Sequence, residues 1–398
     1  MALQNRPFFL HLFARVAILL VFAKAAHSGA TYTPSVPFSD GAKQIILYDM
    51  LTDTVLFEKN AHQAMTPSSM TKVLLVYMAF AKLKNGQASL QDLVRVSAKA
   101  RHMQGSRMFL ELASDVTLEQ LLQGVIVHSG NDASVALAEG LYGSEQAAVA
   151  EANRLAQEFG LRQSHFTNVT GWPDSDHVST AYDILRLGIQ TIRDFPQMYR
   201  RFYAQKFLTH NKIKQYNRNP LVHRGLGDGL KTGTTEKGGY GLLGSAKKKG
   251  RRLVFVINGL SGNAARARAA FSLLNWGFKN FDTVTLFKKG DVVGRVAVEE
   301  GVQKQVSVVA PHDIVVAYPR GLKTRVRVRC VEQTLKAPFK KGDAGGLLQI
   351  TSPSLPLKTV PLVVGQDVKR LSWAGRQWAR LYQAIAGLFV VEEAGLSA

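Results

Sequence analysis

A serine and a lysine stand three residues apart at the start of a long apolar stretch of the chain. Ser69 and Lys72 lie in the run 66–72, and apolar residues continue to about Leu83. Because positions i and i+3 share one face of a helix, a helix that begins near Ser68 brings the hydroxyl and the amine together. A lysine whose pKa is lowered by burial or by a neighbouring cation can take the serine proton and make the hydroxyl a nucleophile.

A second motif, Ser129-Gly130-Asn131, follows an apolar run and precedes an alanine-rich segment at 133–139. This pattern predicts a turn between two helices. Serine, glycine and asparagine are common in any turn, so this motif points to a site only together with the first one.

A third motif, Lys231-Thr232-Gly233-Thr234, follows a glycine-rich loop. Two runs of β-forming residues come after it, at 240–246 and 253–260, with a basic turn between them. The pattern predicts that the motif lies on or beside the first strand of an antiparallel meander. Gly233 would let a ligand approach the backbone closely.

The three motifs, in this order and in these predicted settings, resemble those of the penicillin-recognising serine acyl-transferases. Within that group the chain is most similar to the low-molecular-mass penicillin-binding proteins that are serine-type D-alanyl-D-alanine carboxypeptidases, peptidase family S11. The similarity runs from about residue 42 to at least residue 285. It is carried by the motifs and by further stretches at 105–111, 127–138, 164–166, 215–219, 229–235 and 273–278.

The resemblance implies a reaction and a set of site residues. The expected enzyme removes the terminal D-alanine from the pentapeptide stems of peptidoglycan through an acyl-enzyme, and β-lactam antibiotics acylate it covalently in the same way. Ser69 is the expected nucleophile, Lys72 its base and Ser129 a proton relay. The expected substrate-binding residues are Asn131, Lys231, Thr232, Gly233, Thr234 and Arg266. The backbone N–H groups of Ser69 and Thr234 are the expected oxyanion hole.

Two positions at this expected site, 266 and 234, are less clearly assigned by the resemblance. The family carries a carboxylate-binding arginine about where Arg266 lies, and Arg268 on the same predicted helix is the other candidate. The residue after Lys-Thr-Gly is often histidine in the relatives that the chain most resembles, and Thr234 stands there in this sequence. Threonine keeps the backbone donor but lacks the imidazole, so the resemblance does not fix the deacylation rate or its pH profile.

The composition of the chain limits which metals, cofactors and binding partners are expected. No Cys/His cluster has metal-ligand spacing, so no structural zinc is predicted, and the single cysteine, Cys330, excludes an intramolecular disulfide. Neither a metal nor another cofactor is expected at the site. The net charge of +21 favours anionic partners. Because the cations are scattered and no nucleic-acid-binding module is visible, the predicted anionic partners are a membrane surface and cell-wall polymer, not nucleic acid.

The chain is long enough for two domains. Residues 1–30 are predicted to be a signal peptide, with positive charge at Arg6 and Arg15, a short apolar core, and small residues for cleavage at 23–25 or 28–30. Residues 31–281 predict an α+β domain of the β-lactamase/transpeptidase type, in which an antiparallel sheet is flanked by helices and joined by a helical subdomain. Residues 282–365, with short alternating runs, predict a small all-β sandwich domain.

Residues 366–398 predict a C-terminal amphipathic helix. At helical spacing Leu371, Trp378 and Phe389 share one face, and Lys369 and Arg376 lie opposite. Such a helix suits a membrane interface, and packing on the β-domain or on a partner is the alternative. The apolar run at 384–391 is too short to span a bilayer. With the signal peptide, this predicts an exported protein held peripherally at the periplasmic face of the inner membrane.

Three other functions share part of the pattern. A class A β-lactamase has the first and third motifs, but its middle motif is Ser-Asp-Asn, it lacks the second domain, and this chain has no glutamate between residues 164 and 183. A D,D-endopeptidase is a second alternative, and the main feature that separates this chain from it is the additional β-domain of this chain. A non-catalytic cell-wall-binding protein of the same fold would not need the complete set Ser69, Lys72, Ser129, Asn131 and Lys231.

Overall fold

The computed structural model describes residues 41–331, 334–379 and 381. The predicted signal peptide lies outside these residues, as does most of the predicted C-terminal helix, whose described part is helical at 373–379. In the described part of the chain, no helix is both long and apolar enough to cross a membrane.

The secondary structure is mixed in the first two thirds of the chain and almost entirely β afterwards. The strands are β1 Gln44–Asp49, β2 Thr54–Lys59, β3 Leu93–Arg95, β4 Asp115–Thr117, β5 Phe207–His210, β6 Ile213–Tyr216, β7 Gly229–Thr235, β8 Gly239–Lys248, β9 Arg251–Leu260, β10 Phe281–Phe287, β11 Val292–Glu299, β12 Gln305–Val309, β13 Ile314–Pro319, β14 Arg327–Val331, β15 Leu335–Lys336, β16 Ala344–Thr351 and β17 Lys358–Val364. The α-helices are α1 Lys72–Lys84, α2 Ala98–His102, α3 Leu118–Gln123, α4 Asn131–Tyr142, α5 Glu145–Glu158, α6 Ala181–Asp194, α7 Pro196–Tyr203, α8 Pro220–His223 and α9 Asn263–Asn280. Short 3₁₀-helices lie at Ser68–Thr71 and Lys323–Arg325, and a π-helix at Gly124–His128.

The first domain is organised around an antiparallel sheet with the strand order β2-β1-β9-β8-β7. Strand β9 is buried on both faces. Val254 and Val256 face the core of the helical subdomain, whereas Leu253, Phe255 and Ile257 pack with residues of α9. This alternation between two cores explains why the strand is apolar at nearly every position.

Helix α1 lies in the interior of the helical subdomain. Its residues from Lys72 to Phe80 are all buried, and its apolar residues belong to the core that also contains residues of α3, α4 and α6. A helix that is apolar on every side is stable only when other elements surround it. The first residue of this central helix is Lys72, so the fold places that lysine at the edge of the core and beside the sheet strand β7.

The second domain is all β, as predicted. Strands β10 and β13 form a two-stranded sheet, and the other strands pair in the order β14-β16-β17-β12-β11-β15. Alternate residues such as Val306, Val308, Leu362 and Val364 face a common apolar core. The domain begins directly at Phe281, where α9 ends.

Candidate active site

Ser69 and Lys72 lie where a 3₁₀ turn, Ser68–Thr71, passes into helix α1. The Lys72 amine is fully buried and donates to three oxygen atoms: Ser69 Oγ at 3.0 Å, Asn131 Oδ1 at 2.8 Å and the Thr170 carbonyl at 2.5 Å. The first and second motifs therefore meet at one amine.

Burial is the main cause of an unusual proton affinity at Lys72. Burial, and after it the Arg218 guanidinium, lower the pKa of the amine to about 7, while Asp132 acts in the opposite direction. Near neutral pH a substantial fraction of Lys72 is thus unprotonated and can accept a proton.

Ser129 follows the π-helix Gly124–His128 and takes a left-handed conformation, with φ of 68°. This turn reverses the chain so that α4 begins at Asn131. Asn131 is fixed at both ends of its amide, because Nδ2 donates to the Gln104 carbonyl at 2.7 Å while Oδ1 accepts from Lys72. Ser129 and Ser69 both line the same cavity.

The loop that carries Thr170 was not among the residues predicted for the site. Asn168 organises it, since its Oδ1 accepts from the backbone N–H groups of Thr170, Gly171 and Trp172. Gly171, with φ of +76°, packs so closely against the nucleophile turn that a Cβ there would lie 1.9 Å from the Ser68 carbonyl oxygen. The cluster of Asn, Thr and Gly in the sequence indicates a tight turn, but it does not distinguish a turn at a functional site from any other turn.

Strand β7 forms the opposite side of the site and carries the third motif. Lys231 is buried, and its amine donates to the Thr232 carbonyl at 3.1 Å. Gly233 faces the nucleophile turn, where a Cβ would lie 2.9 Å from the Pro67 carbonyl oxygen. Thr232, between Lys231 and Gly233, lines the cavity.

Arg266, and not Arg268, reaches the site. Its Nη1 donates to Thr234 Oγ1 at 3.3 Å and to the Gly241 carbonyl at 3.4 Å, and its Nη2 donates to Asn263 Oδ1 at 2.7 Å. Burial lowers the pKa of Arg266 to about 10, so the guanidinium keeps its charge at neutral pH. Arg268, on the same helix, is exposed.

A second arginine at the site is Arg218, which precedes helix α8 and was not singled out in the sequence. Its Nη1 donates to Ser106 Oγ at 2.5 Å, and its Nη2 lies 3.1 Å from His128 Nε2. Burial lowers the pKa of His128 to about 4, and Arg218 contributes to that shift. The imidazole is therefore neutral near pH 7 and accepts the Arg218 hydrogen bond.

These side chains surround a cavity of about 710 Å³. Apart from Pro220, the residues that line it have polar or aromatic side chains: Ser69, Ser106, Ser129, Tyr216, Asn217, Arg218, His223, Thr232, Thr234, Tyr240, Asn263 and Arg266. None of these described lining residues carries a carboxylate, whereas two carry a guanidinium. Burial and the neighbouring cations also lower the pKa of Lys231 well below its ordinary value. The cavity therefore favours an anionic ligand.

The described residues contain no group of three or more His, Cys, Asp or Glu side chains arranged to hold a metal ion. The chemistry that the described side chains can carry out is nucleophilic: a hydroxyl beside a buried amine, with arginines to bind an anion.

Residues 30–261 match the model of the D-alanyl-D-alanine carboxypeptidase family. The chain belongs to this family. Residues 281–370 match a second model, that of the C-terminal domain of penicillin-binding protein 5. The family predicted from the three motifs is thereby confirmed, and so is an α+β fold with an all-β second domain.

Relatives in this carboxypeptidase family match along most of the chain. D-alanyl-D-alanine carboxypeptidase DacA of Haemophilus influenzae is 33% identical over 389 residues, which cover 96% of this chain and 98% of that protein. D-alanyl-D-alanine carboxypeptidase DacC of Escherichia coli is 34% identical over 372 residues, or 91% and 92% of the two chains.

Two solved structures agree with the fold. Penicillin-binding protein 5 from Haemophilus influenzae has a TM-score of 0.78 and 34% identity, over 84% of this chain and 99% of that chain. The carboxypeptidase DacD from Francisella tularensis has a TM-score of 0.72 and 25% identity, over 85% and 96% of the two chains.

Proposed function

We propose that this chain is a serine D-alanyl-D-alanine carboxypeptidase that removes the terminal D-alanine from peptidoglycan stem peptides. The observation that carries the proposal is the buried Lys72 amine 3.0 Å from Ser69 Oγ, in a chain that belongs to this family. A hydroxyl with a base of matched pKa at hydrogen-bond distance is what nucleophilic acyl transfer requires.

Acylation begins when Lys72, in its neutral form, takes the proton of Ser69. The serine oxygen then forms a bond to the carbonyl carbon of the penultimate D-alanine. The bond from that carbon to the nitrogen of the terminal D-alanine breaks. Ser129 relays the proton from the Lys72 ammonium to the leaving amine. Water then attacks the carbonyl carbon of the acyl-enzyme, the bond from that carbon to the Ser69 oxygen breaks, and the shortened stem leaves as a carboxylate while Ser69 regains its proton. Asn131 holds the Lys72 amine through its Oδ1, so the base keeps its position through the proton transfers.

The terminal carboxylate of the substrate supplies the negative charge that the cavity lacks. Thr234 and Arg266 are joined at 3.3 Å and form one wall of the recognition site. Lys231 and Thr232 lie on the same strand, and the charge of Lys231 is favoured once a carboxylate is bound. Recognition of this carboxylate restricts the enzyme to peptides with a free C-terminus.

The developing oxyanion is stabilised by the backbone N–H groups of Ser69 and Thr234. Losing one donor of this kind costs about 3–4 kcal/mol of transition-state stabilisation. Gly233 lets strand β7 lie close to the nucleophile turn, because a Cβ at that position would be only 2.9 Å from the Pro67 carbonyl oxygen. Penicillin acylates Ser69 in the same way, since its strained amide takes the place of the scissile peptide bond.

Intact-mass measurement after brief exposure to benzylpenicillin tests the acylation step. We expect a covalent adduct on the wild-type chain and none on Ser69→Ala. Release of D-alanine from a peptide that ends in D-Ala-D-Ala tests the reaction itself. Absence of both the adduct and the D-alanine would refute the proposal, whereas rapid penicillin hydrolysis without peptide cleavage would identify a β-lactamase.

Cellular location belongs to the same proposal. An enzyme that acts on stem peptides works outside the cytoplasm, and we infer export followed by peripheral attachment of residues 366–398 to the periplasmic face of the inner membrane. Trp373, Trp378 and Leu381 are exposed in the described part of that segment, which supports insertion into a membrane interface. A chain that ends at Gln366 should leave the membrane fraction, and its retention there would contradict the anchor.

A further inference from the structure

The β5–β6 hairpin exposes two aromatic rings beside the catalytic cavity. Phe207 is 48% exposed and Tyr216 is 55% exposed, and the register places them directly opposite each other. Their ring centroids lie 6.4 Å apart with an interplanar angle of 65°. Adjacent apolar side chains that remain exposed often mark a binding surface.

A lysine of the same hairpin completes this surface. The Lys214 amine lies 4.1 Å from the centroid of the Phe207 ring and 5.4 Å from that of Tyr216. Cation–π attraction holds the amine there, and within the described residues it has no ion pair with a carboxylate. Phe207, Lys214 and Tyr216 thus present apolar ring surface and N–H donors side by side. We refer to these three residues as the hairpin platform.

The hairpin platform is continuous with the cavity that holds Ser69. The rings of Tyr216 and His223 meet edge to face with centroids 6.0 Å apart, and both residues line the cavity. Side chains also fix the hairpin to the neighbouring loop, because Gln215 Nε2 donates to the Arg107 carbonyl at 3.1 Å. The surface therefore extends from the site of the chemistry outward to solvent in a fixed position.

We propose that the hairpin platform binds the glycan strand of the peptidoglycan whose stem peptide occupies the cavity. This inference rests on the proposed function. A pyranose ring has an apolar C–H face that packs on an aromatic ring, and polar hydroxyl and acetamido groups at its edge that accept hydrogen bonds from an amine. The three residues of the platform supply those two kinds of contact together.

Covalent structure supports the same occupant. The stem peptide joins the sugar at the end opposite to the scissile bond, so a four-residue stem places the sugar within about 14 Å of Ser69. A ligand whose peptide end fills the cavity must therefore place its sugar at the cavity rim. The platform adjoins that rim through Tyr216.

Kinetics on two substrates test the assignment. Phe207→Leu and Lys214→Gln are compared with the wild type on a free pentapeptide that ends in D-Ala-D-Ala, and on soluble uncrosslinked glycan strands that carry the same pentapeptide. We expect the KM for the strands to rise by about five- to tenfold in each variant, with kcat/KM for the free peptide unchanged. Leu357→Ala removes an exposed apolar side chain of the β-domain and should change neither value.

Two further variants make the outcome decisive. Phe207→Tyr keeps an aromatic ring, so its KM for the strands should stay close to the wild-type value, unlike that of Phe207→Leu. In a Ser69→Ala background, Phe207→Leu should reduce co-sedimentation with insoluble peptidoglycan, a readout that needs no turnover. Equal losses on both substrates, or no loss on the strands, would overturn the glycan assignment. A wild-type chain that releases no D-alanine from the free peptide would instead refute the proposed function.

Discussion

Lys72 is the residue whose protonation state decides whether Ser69 can react. Its pKa is lowered to about 7, first by burial and then by Arg218. A lysine with this pKa is neutral above pH 7 and protonated below it, and only the neutral form accepts the Ser69 proton. We therefore expect the acylation rate with benzylpenicillin to be constant above about pH 7 and to fall tenfold per pH unit below it. Stopped-flow measurement between about pH 5 and 9 gives this profile.

A change at Arg218 tests what sets the midpoint of this pH profile, which is the pKa of Lys72. Arg218→Gln removes a positive charge that disfavours the protonated amine, so the pKa of Lys72 should rise and the acid limb should move to higher pH. Arg218→Lys keeps the charge and should leave the midpoint near its original place. A midpoint that stays fixed in Arg218→Gln would mean that the charge of Arg218 does not lower the pKa of Lys72.

The two arginines of helix α9 offer a matched test of carboxylate recognition. Arg266 is buried against Thr234, whereas Arg268 is exposed. Arg266→Gln should lower kcat/KM for peptides with a free C-terminus by about 10- to 100-fold, because a charge-assisted hydrogen bond to the substrate carboxylate is lost. Arg268→Gln should have no comparable effect. A peptide whose terminal carboxylate is amidated should respond little to either change, and an equal loss with both substrates would argue against this role.

At the scale of elements, the loop of Asn168 and Gly171 supports the nucleophile turn. Gly171 and Gly143 both have positive φ, of +76° and +78°, but a Cβ would overlap the Ser68 carbonyl only at Gly171 and would meet nothing within 4 Å at Gly143. Gly143→Ala should cost about 1 kcal/mol of unfolding free energy from its backbone conformation. Gly171→Ala should cost about 1–3 kcal/mol more and slow acylation by benzylpenicillin.

Urea denaturation and the acylation rate of the folded protein separate the two effects. The contrary outcome would be a Gly171→Ala variant that is as stable as Gly143→Ala and reacts with benzylpenicillin at the wild-type rate. That result would show that the close packing of the loop on the nucleophile turn contributes neither to stability nor to acylation. Reduced stability with normal acylation would confine the role of Gly171 to folding.

Much of this element structure could be predicted from local pattern. The strands at 240–246 and 253–260 occur as expected, because runs of β-forming residues and the turn between them determine them locally. The second motif indeed lies in a turn between helical segments. Strands β16 and β17 have a weaker local pattern, because Gly345 and Gly346 interrupt the alternation of the first and Pro361 that of the second.

Site residues that belong to a local sequence motif could be predicted, whereas residues that reach the site from distant parts of the chain could not. Ser69 and Lys72 share a helical face, so their contact follows from their spacing. The Thr170 carbonyl and Arg218 reach the site only through tertiary packing, and nothing in their local sequence distinguishes them from ordinary turn and surface residues. The left-handed Ser129 is likewise held by the surrounding fold, because a serine has no intrinsic preference for that conformation.

At the scale of the whole molecule, the two domains are joined by buried polar contacts as well as by the chain. Arg251 of β9 donates from Nε to Asp49 Oδ2 and from Nη1 to the Phe281 carbonyl, both at 2.6 Å. Lys358 of β17 donates to the carbonyl of Thr52, in the β1–β2 turn, and to that of Val315 at 3.3 Å. One amine thus binds the backbone of both domains.

Lys358→Met should therefore weaken the contact between the domains without changing the chemistry. Methionine keeps much of the apolar volume but leaves the Thr52 carbonyl without this donor, which should cost about 1–3 kcal/mol at the junction. We expect a Tm lower by several degrees, with calorimetry resolving unfolding of the β-domain from that of the catalytic domain. D-Alanine release from a free pentapeptide should persist, because every residue proposed for catalysis lies in the first domain. Lys340→Met, an exposed lysine of the same β-domain, provides the control, and an equal loss of Tm there would show that the Lys358 contact does not couple the domains.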